Sequence, residues 1–297
     1  MRIGRVGDET QHSIVLELDG HWFDIGRGLE SIWGETDGVE VEHNLLEWIE
    51  HGMFAPGKIA QIINQLNENQ TLERFKIPEP LGFLMTYTPR QIICVGRNYA
   101  EHARELGNEI PEAPILFNKL PSACIGDGKN VSFPKSLGQV DFEGEIAIVV
   151  GRHGVKIPEN EAIEYIVGYT LLNDITAREM QTELKSKGHP WMMAKNFPGF
   201  CPFGPLIRLI DDITHPLDLN LKLSINGEER QNGTTRDFIF TIPELISTIS
   251  SHIPLNPGDL IATGTPEGVG PLKDGDDVVV YCSEIGTLHH STTVISD

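Results

Sequence analysis

The sequence predicts an α+β, mainly β protein: a mixed β-sandwich roll with a small N-terminal α+β domain. Three observations lead there. From residue 89 onward the chain is a series of short strand-like runs separated by Gly and Pro. Helical periodicity interrupts that series at three places, too few for a doubly wound parallel sheet. The first 88 residues have a different texture, and the Pro-marked stretch Ile77–Thr88, with Pro78, Pro80 and Pro89, closes them off. The expected units are therefore residues 1–88 and 89–297.

In the first unit, Ser13–Leu18 and His21–Ile25 read as a hairpin about Asp19-Gly20, and apolar periodicity from Asn44 to Leu66 reads as helix. In the second, Gln91–Val95 opens the strand series. Glu145–Val150, Ile166–Leu172, Leu206–Leu209, Leu219–Ile225, Leu260–Thr263, Val278–Tyr281 and Thr287–Ile295 continue it. The helical runs are Asn98–Leu106, Ala177–Lys187 and Ile242–Ile249. No internal repeat or low-complexity segment is visible.

Among 297 residues, 43 are acidic and 23 basic, giving a formal charge of −20. With no basic block, this balance speaks against nucleic acid and against anionic membrane as partners. No stretch approaches the roughly 20 apolar residues that span a bilayer, and no signal peptide is evident, so a cytoplasmic protein is expected. The four cysteines, Cys94, Cys124, Cys201 and Cys282, lie far apart without C-x-x-C spacing and read as reduced thiols.

The segment Asp141-Phe142-Glu143-Gly144-Glu145 runs into the apolar stretch Ile146–Val150. Residues two apart on a strand project to one face, which brings the carboxylates of Glu143 and Glu145 together. Two such charges about 4 Å apart repel by about 4 kcal/mol at an effective dielectric near 20. Either a cation or shared proton offsets this, or the strand end is exposed and the acids face water. Asp174, in Leu171-Leu172-Asn173-Asp174, ends an apolar strand just before a helix. It is placed equally well for a site or for an N-cap. Three hard oxygen donors without His or Cys suit Mg²⁺, Mn²⁺ or Ca²⁺ rather than zinc. His102 and Glu105, three apart on a helical run, can pair as a base and its orienting acid; a surface pair is the plainer account. The loop Thr263–Gly270 follows a strand but fits neither nucleotide-binding glycine pattern. It can hold a carboxylate or simply be a tight turn. Neither G-x-S-x-G nor H-E-x-x-H is present.

Taken together, Gly96-Arg97-Asn98-Tyr99 with His102 and Glu105, Asp141–Glu145, Asn173–Arg178, Lys195 and Thr263–Gly270 resemble the fumarylacetoacetate hydrolase family in order and spacing. The resemblance spans about residues 90 to 295 and implies that family's β roll. It implies Glu143, Glu145 and Asp174 as ligands of Mg²⁺ (or Mn²⁺/Ca²⁺), and a lid carrying His102 and Glu105. Lys195 is implied as a catalytic cation, with Arg97, Tyr99, Arg178, Gln181 and Thr265 holding substrate. One departure stands out. Many members read K-S-F-D-T-F where this chain has Lys195-Asn196-Phe197-Pro198-Gly199-Phe200, which bears on substrate fit rather than on the metal.

The implied activity is hydrolysis of a carbon-carbon bond in acylpyruvate or fumarylacetoacetate-type diketo acids. A metal-stabilised enolate leaves, and water activated by His102 attacks. Decarboxylation of oxaloacetate, or tautomerase or isomerase chemistry, is the alternative within the family. A protein that only binds a metabolite is the non-enzymatic alternative. The family also implies a homodimer.

Overall fold

The computed structural model describes residues 1–8, 11–31, 44–68, 72–105, 107, 109–213 and 218–296. The chain begins with strands β1 (Arg2–Gly7), β2 (His12–Leu18) and β3 (His21–Asp24) and helix α1 (Ile25–Leu29). Helices α2 (Leu45–Glu50) and α3 (Lys58–Glu68) and the short strand β4 (Lys76–Ile77) follow. Asp19 and Gly20, both at positive φ, make the turn between β2 and β3, as a two-residue hairpin with the strands' right-handed twist requires.

Next come β5 (Ile92–Gly96), α4 (Ala100–Glu105), β6 (Ile115–Lys119), β7 (Cys124–Ile125), β8 (Lys129–Pro134), β9 (Val140–Phe142), β10 (Gly144–Val150) and β11 (Ile166–Asn173). After them lie β12 (Thr176–Ala177), α5 (Arg178–Ser186), α6 (Met192–Lys195), β13 (Cys201–Leu209), β14 (Asn220–Ile225) and β15 (Glu228–Thr234). The chain ends with α7 (Ile242–Ser250), β16 (Leu260–Ala262), β17 (Gly270–Pro271), β18 (Asp277–Cys282) and β19 (Gly286–Ile295). Leu106, the last residue of the helix expected from Asn98, lies outside the described residues.

The main sheet runs β4-β3-β2-β1-β13-β11-β10-β16-β5-β6, with β7 on β13. A five-stranded sheet, β15-β14-β18-β19-β8, packs against it, and β12-β9-β17 form a small third sheet. Because successive side chains on a strand alternate between faces, β10 serves two cores. Ile146, Ile148 and Val150 join Leu221, Leu223, Val278, Val280 and the apolar face of α7. Ala147 and Val149 pack with Leu45, Trp48, Ile62 and Leu66 of the N-terminal helices. The first strands are hydrogen-bonded into the same sheet, β1 pairing with β13 in the register Ile3↔Ile207.

The strands expected after residue 89 all form. Among strands of three or more residues, the structure adds β1, β6, β8, β9 and β15. Three of these, β6, β8 and β15, are sheet edges, where few side chains are buried and no strong apolar alternation is needed. In β1 the pattern is broken by Arg2, Gly4 and Arg5, and β9 is only three residues long. The four cysteines are free thiols. Among the described residues, no helix is long and apolar enough to cross a membrane.

Candidate active site

Glu143 sits in the break between β9 and β10, so strand pleating alone does not bring it to Glu145. Backbone bonds fix it instead: its N–H donates to Asn173 Oδ1 (2.8 Å) and its carbonyl accepts the Asp174 N–H (2.8 Å). Glu145, on β10, accepts the Gly264 N–H on Oε2 at 2.8 Å. Gly264 adopts φ +101°, and a Cβ there would lie 2.9 Å from the Asn98 Cβ, so the approach needs glycine. Gln231 bridges the two segments. Its Nε2 donates to Thr265 Oγ1 and to the Pro266 carbonyl, and its Oε1 accepts the Gly144 N–H. One carboxylate oxygen from each of Glu143, Glu145 and Asp174 lies within 4.8 Å of the others, and all three residues are buried.

Three cations surround these acids. Lys195, at the end of α6, donates to Glu143 Oε2 (2.9 Å) and to Asp174 Oδ2. Lys119 Nζ lies 2.8 Å from Asp174 Oδ1 and donates to the Ile175 carbonyl (3.0 Å). Arg178, the first residue of α5, donates to Asp141 Oδ2 (2.6 Å), Gln181 Oε1 (2.7 Å) and Glu143 Oε1. Burial alone would raise the Glu143 pKa, but Lys195 and Arg178 hold it well below the usual carboxylate range. Lys195 stays firmly protonated because Asp174 and Glu143 outweigh its burial.

Glu145 has no cation at ion-pair distance among the described residues, and burial with Asp174 and Glu143 nearby pushes its pKa well up. Counting Asp141, four buried acids face three cations, one negative charge in excess. This donor set fits a divalent cation: all-oxygen, anionic, buried, and with Glu145 left without a cation at ion-pair distance among the described residues. Glu143, Glu145 and Asp174 are the residues that could hold it.

The rest of the pocket wall comes from loops and helix faces. Asn98 bolts the Gly96–Tyr99 loop in place, donating to the Thr263 carbonyl (2.9 Å) and accepting the Phe240 N–H (2.8 Å). Arg97 lines the pocket at φ +58°, a left-handed conformation that costs a non-glycine residue about 1–2 kcal/mol. Tyr99 is buried with its ring 5.1 Å from Phe238 and is not among the lining residues. His102, on α4, lines the pocket at 5 % exposure, and its Nδ1 has no hydrogen-bond partner. Burial lowers its pKa, against the pull of Glu143 and Glu105, so the imidazole is neutral near pH 7.

Glu105 Oε2 stands 3.6 Å from His102 Nδ1, outside hydrogen-bond range. Both oxygens of Glu105 instead accept the Gly268 N–H at 3.1 Å. Gly268 has φ +93°, and a Cβ there would strike the Arg230 carbonyl oxygen at 2.0 Å. Arg178, Gln181, Lys195 and Thr265 also line the pocket, so of the expected site residues only Tyr99 and Glu105 fall outside its lining.

The sequence reading missed Lys119, Phe117, Trp191, Lys185 and Gln231. One signal was available: Arg178, Gln181 and Lys185 are spaced i, i+3, i+7 and so share a face of α5. The Phe117 and Trp191 rings pack with centroids 5.3 Å apart, tilted by 53°. Lys195 Nζ lies 4.7 Å from the Phe117 ring and Lys185 Nζ 5.7 Å from the Trp191 ring. The Lys185 pKa is lowered by partial burial and by the neighbouring Arg97 and Arg178 charges.

Residues 91–293 match the model of the fumarylacetoacetate (FAA) hydrolase C-terminal domain. The oxaloacetate tautomerase YisK of Bacillus subtilis is 42 % identical over 209 residues, 67 % of this chain and 68 % of that protein. A mitochondrial oxaloacetate tautomerase of Mus musculus is 43 % identical over 189 residues, 64 % of this chain and 85 % of that protein. Among solved structures, the fumarylacetoacetate hydrolase of psychrophilic Exiguobacterium antarcticum superposes with a TM-score of 0.80 at 30 % identity, covering 99 % of this chain and 100 % of that one. The fumarylpyruvate hydrolase of Pseudomonas aeruginosa, solved with Mn²⁺ and pyruvate, gives 0.68 at 32 % identity, covering 74 % and 98 %. With two thirds of its length matching that domain, and the acid cluster lying within the matched residues, this chain belongs to the fumarylacetoacetate hydrolase family of enzymes.

Proposed function

We propose that this protein is a divalent-metal-dependent hydrolase that cleaves a carbon-carbon bond in acylpyruvate-type diketo acids. The reading rests on one juxtaposition: a buried carboxylate trio facing a neutral His102 across a pocket whose outer wall is the aromatic pair Phe117 and Trp191. A 2-oxo acid head suits the charged floor, and a flat acyl group suits the aromatic wall. Mg²⁺, Mn²⁺ or Ca²⁺ held by Glu143, Glu145 and Asp174 would supply Lewis acidity to the oxygens of the 2-oxo acid. The Mn²⁺ and pyruvate bound in the Pseudomonas aeruginosa relative support that assignment.

The chain's own groups then have defined tasks. With Nδ1 of His102 turned toward Glu105, Nε2 is the nitrogen left to take a proton from water. The hydroxyl oxygen bonds to the distal carbonyl carbon, and the bond from that carbon toward the 2-oxo acid breaks. His102 returns its proton to the carbon released, giving a carboxylic acid and a 2-oxo acid. Lys195, Arg178 and Gln181 orient the charged oxygens from fixed positions, so little reorganisation accompanies the step. The homodimer implied by the family belongs to the same proposal.

Keto-enol tautomerisation of oxaloacetate is the second reading. It is favoured by the two tautomerase relatives and by the 3.6 Å gap that leaves His102 without an orienting hydrogen bond. An assay of acetylpyruvate and enol-oxaloacetate, each with Mn²⁺ and with chelator, separates the two. Metal-dependent release of pyruvate, with ¹⁸O from labelled water entering the acetate, supports the hydrolase. Decay of enol-oxaloacetate without cleavage of any acylpyruvate overturns it in favour of the tautomerase.

A further inference from the structure

Where β9 gives way to β10, two successive N–H groups donate to side chains: Glu143 to Asn173 Oδ1 and Gly144 to Gln231 Oε1. Both acceptors are buried carboxamides. Asn173 stands opposite Gly144 in the β10–β11 register, whereas Gln231 reaches in from β15 of the other sheet. Gly144 admits it, since a Cβ there would lie 3.3 Å from Gln231 Oε1 and 3.1 Å from Leu223 Cδ1. The sense of each bond is forced. An N–H can only donate, so the Gln231 oxygen faces Gly144, and a carbonyl can only accept, so the nitrogen faces Pro266. That nitrogen also donates to Thr265 Oγ1 at 2.8 Å, which leaves the hydroxyl's own proton for the Gly144 carbonyl, again at 2.8 Å. Gly144, Gln231 and Thr265 thus close a ring of three hydrogen bonds around the residue that separates Glu143 from Glu145. Thr265 in turn follows Gly264, whose N–H holds Glu145.

We propose that Gln231 is a positioning residue for the carboxylate trio: the ring it closes sets the spacing of Glu143 and Glu145 and ties it to the Thr263–Gly270 loop. The inference rests on the metal-binding reading given above and adds the group that holds two of the three carboxylates in register. Gln231 is not among the residues lining the pocket, so it acts through Gly144 and Thr265 and not on a substrate. Without its amide, the Gly144 N–H and the Pro266 carbonyl are left in the interior without partners, and the segment relieves that cost by shifting. A shift at Gly144 carries both glutamates with it, because they are its chain neighbours. Asp174 stays behind, held by Lys119 and Lys195. The trio therefore opens. Mg²⁺ demands a near-ideal set of oxygens, whereas Ca²⁺ accepts a looser and less regular one, so the damage falls more heavily on Mg²⁺.

The test titrates Mg²⁺ and Ca²⁺ calorimetrically into the metal-free parent and its variants. Gln231→Met keeps the length of the side chain and removes its hydrogen bonds, Thr265→Val keeps the shape and removes the hydroxyl, and Thr265→Ser keeps the hydroxyl. Gln231→Met and Thr265→Val should each weaken Mg²⁺ binding by about ten- to a hundredfold, the scale for groups that orient metal ligands, and Ca²⁺ binding by less. Thr265→Ser should bind both ions like the parent. Because the two side chains act through one ring, the double variant should lose little more than either single one. Ile62→Val thins the core beneath the N-terminal helices, away from the ring, and should leave both affinities unchanged. Parental Mg²⁺ affinity in both Gln231→Met and Thr265→Val, equal losses for Mg²⁺ and Ca²⁺, or the same loss in Ile62→Val overturns the positioning role and leaves the metal site standing. Binding of neither ion by the parent overturns the metal reading as well.

Discussion

On the pocket floor Lys119, Lys195 and Arg178 each have an acid at ion-pair distance, whereas at the rim Arg97 and Lys185 have none among the described residues. The floor groups are buried, so their charges are tolerable only in a mutually compensating set, and removing one member strands its partners. The rim groups keep contact with water and can lose their charge at small cost. Preorganised electrostatics therefore belongs to the floor, and it was set when the chain folded. Substitutions should sort accordingly: floor changes cost stability as well as activity, and rim changes leave stability nearly unchanged.

Lys195→Met is the strongest challenge to that division. It leaves Glu143 and Asp174 buried without their shared ammonium, so the metal-free variant should lose about 3–5 kcal/mol of unfolding free energy in urea. Its kcat should fall by about 10²–10³. The cluster also becomes more negative, so added Mn²⁺ should stabilise the variant more than the parent. Equal urea midpoints, or a smaller metal-induced gain, would show that floor and rim do not differ in this way.

His102→Ala probes the boundary between the regions. Because Nδ1 has no hydrogen-bond partner, its removal orphans no other group, and stability should stay within about 1 kcal/mol of the parent. Loss of the proton acceptor should lower kcat by about 10²–10⁴. Burial holds the imidazole below its ordinary pKa of 6.5, so the acidic limb of kcat/KM should lie below pH 6.5 in the parent. A limb above that value contradicts a buried neutral base.

Beneath the floor, a neutral group carries stability instead. His290 is fully buried on β19, with Nε2 2.8 Å from Asn173 Nδ2, and Asn173 in turn accepts the Glu143 N–H. Burial depresses its pKa from 6.5 to about 4. Between those values the unfolded chain binds a proton that the folded chain refuses, so stability is complete above pH 6.5 and lost as pH falls toward 4. The loss is on the order of 3 kcal/mol. His290→Gln keeps an acceptor for Asn173 but does not titrate, so its urea midpoint should fall less steeply between pH 6.5 and 4 than the parent's. Parallel pH dependences would mean that His290 is already protonated in the fold.

The buried acid cluster was legible because Glu143, Glu145 and Asp174 occur in short motifs, E-x-E and N-D, at the ends of apolar strands whose depth the sequence also signals. The counter-charges were less so. Lys119 reaches Asp174 across 55 positions, and nothing local to Ile115–Lys119 marks a buried lysine at an edge strand's end. Gln231 lies on a polar edge strand with no alternation to read, yet its amide joins Gly144 to Thr265. Tyr99 was read with its loop as a substrate contact, but its ring packs on Phe238, because a loop's direction depends on the partner it lies against. Glu105 was expected to orient His102, and the spacing of three permits that. The competing donor, Gly268 N–H, comes from a loop 163 positions away, which no local pattern reveals.

That competition sets the smallest effect and the finest test. Glu105→Gln retains one acceptor for Gly268 N–H, so α4 should stay docked and the melting temperature should be unchanged. The carboxylate's charge, which raises the His102 pKa from 3.6 Å, is gone. The acidic limb of kcat/KM should therefore move to lower pH, while Glu105→Ala should add faster amide exchange at Gly268 as the anchor is lost. If Glu105→Gln leaves the limb in place yet weakens Gly268 as much as Glu105→Ala does, Glu105 is a latch for the Thr263–Gly270 loop and nothing more. His102 then works without a carboxylate partner, and the line between floor and rim passes between two residues of the same helix.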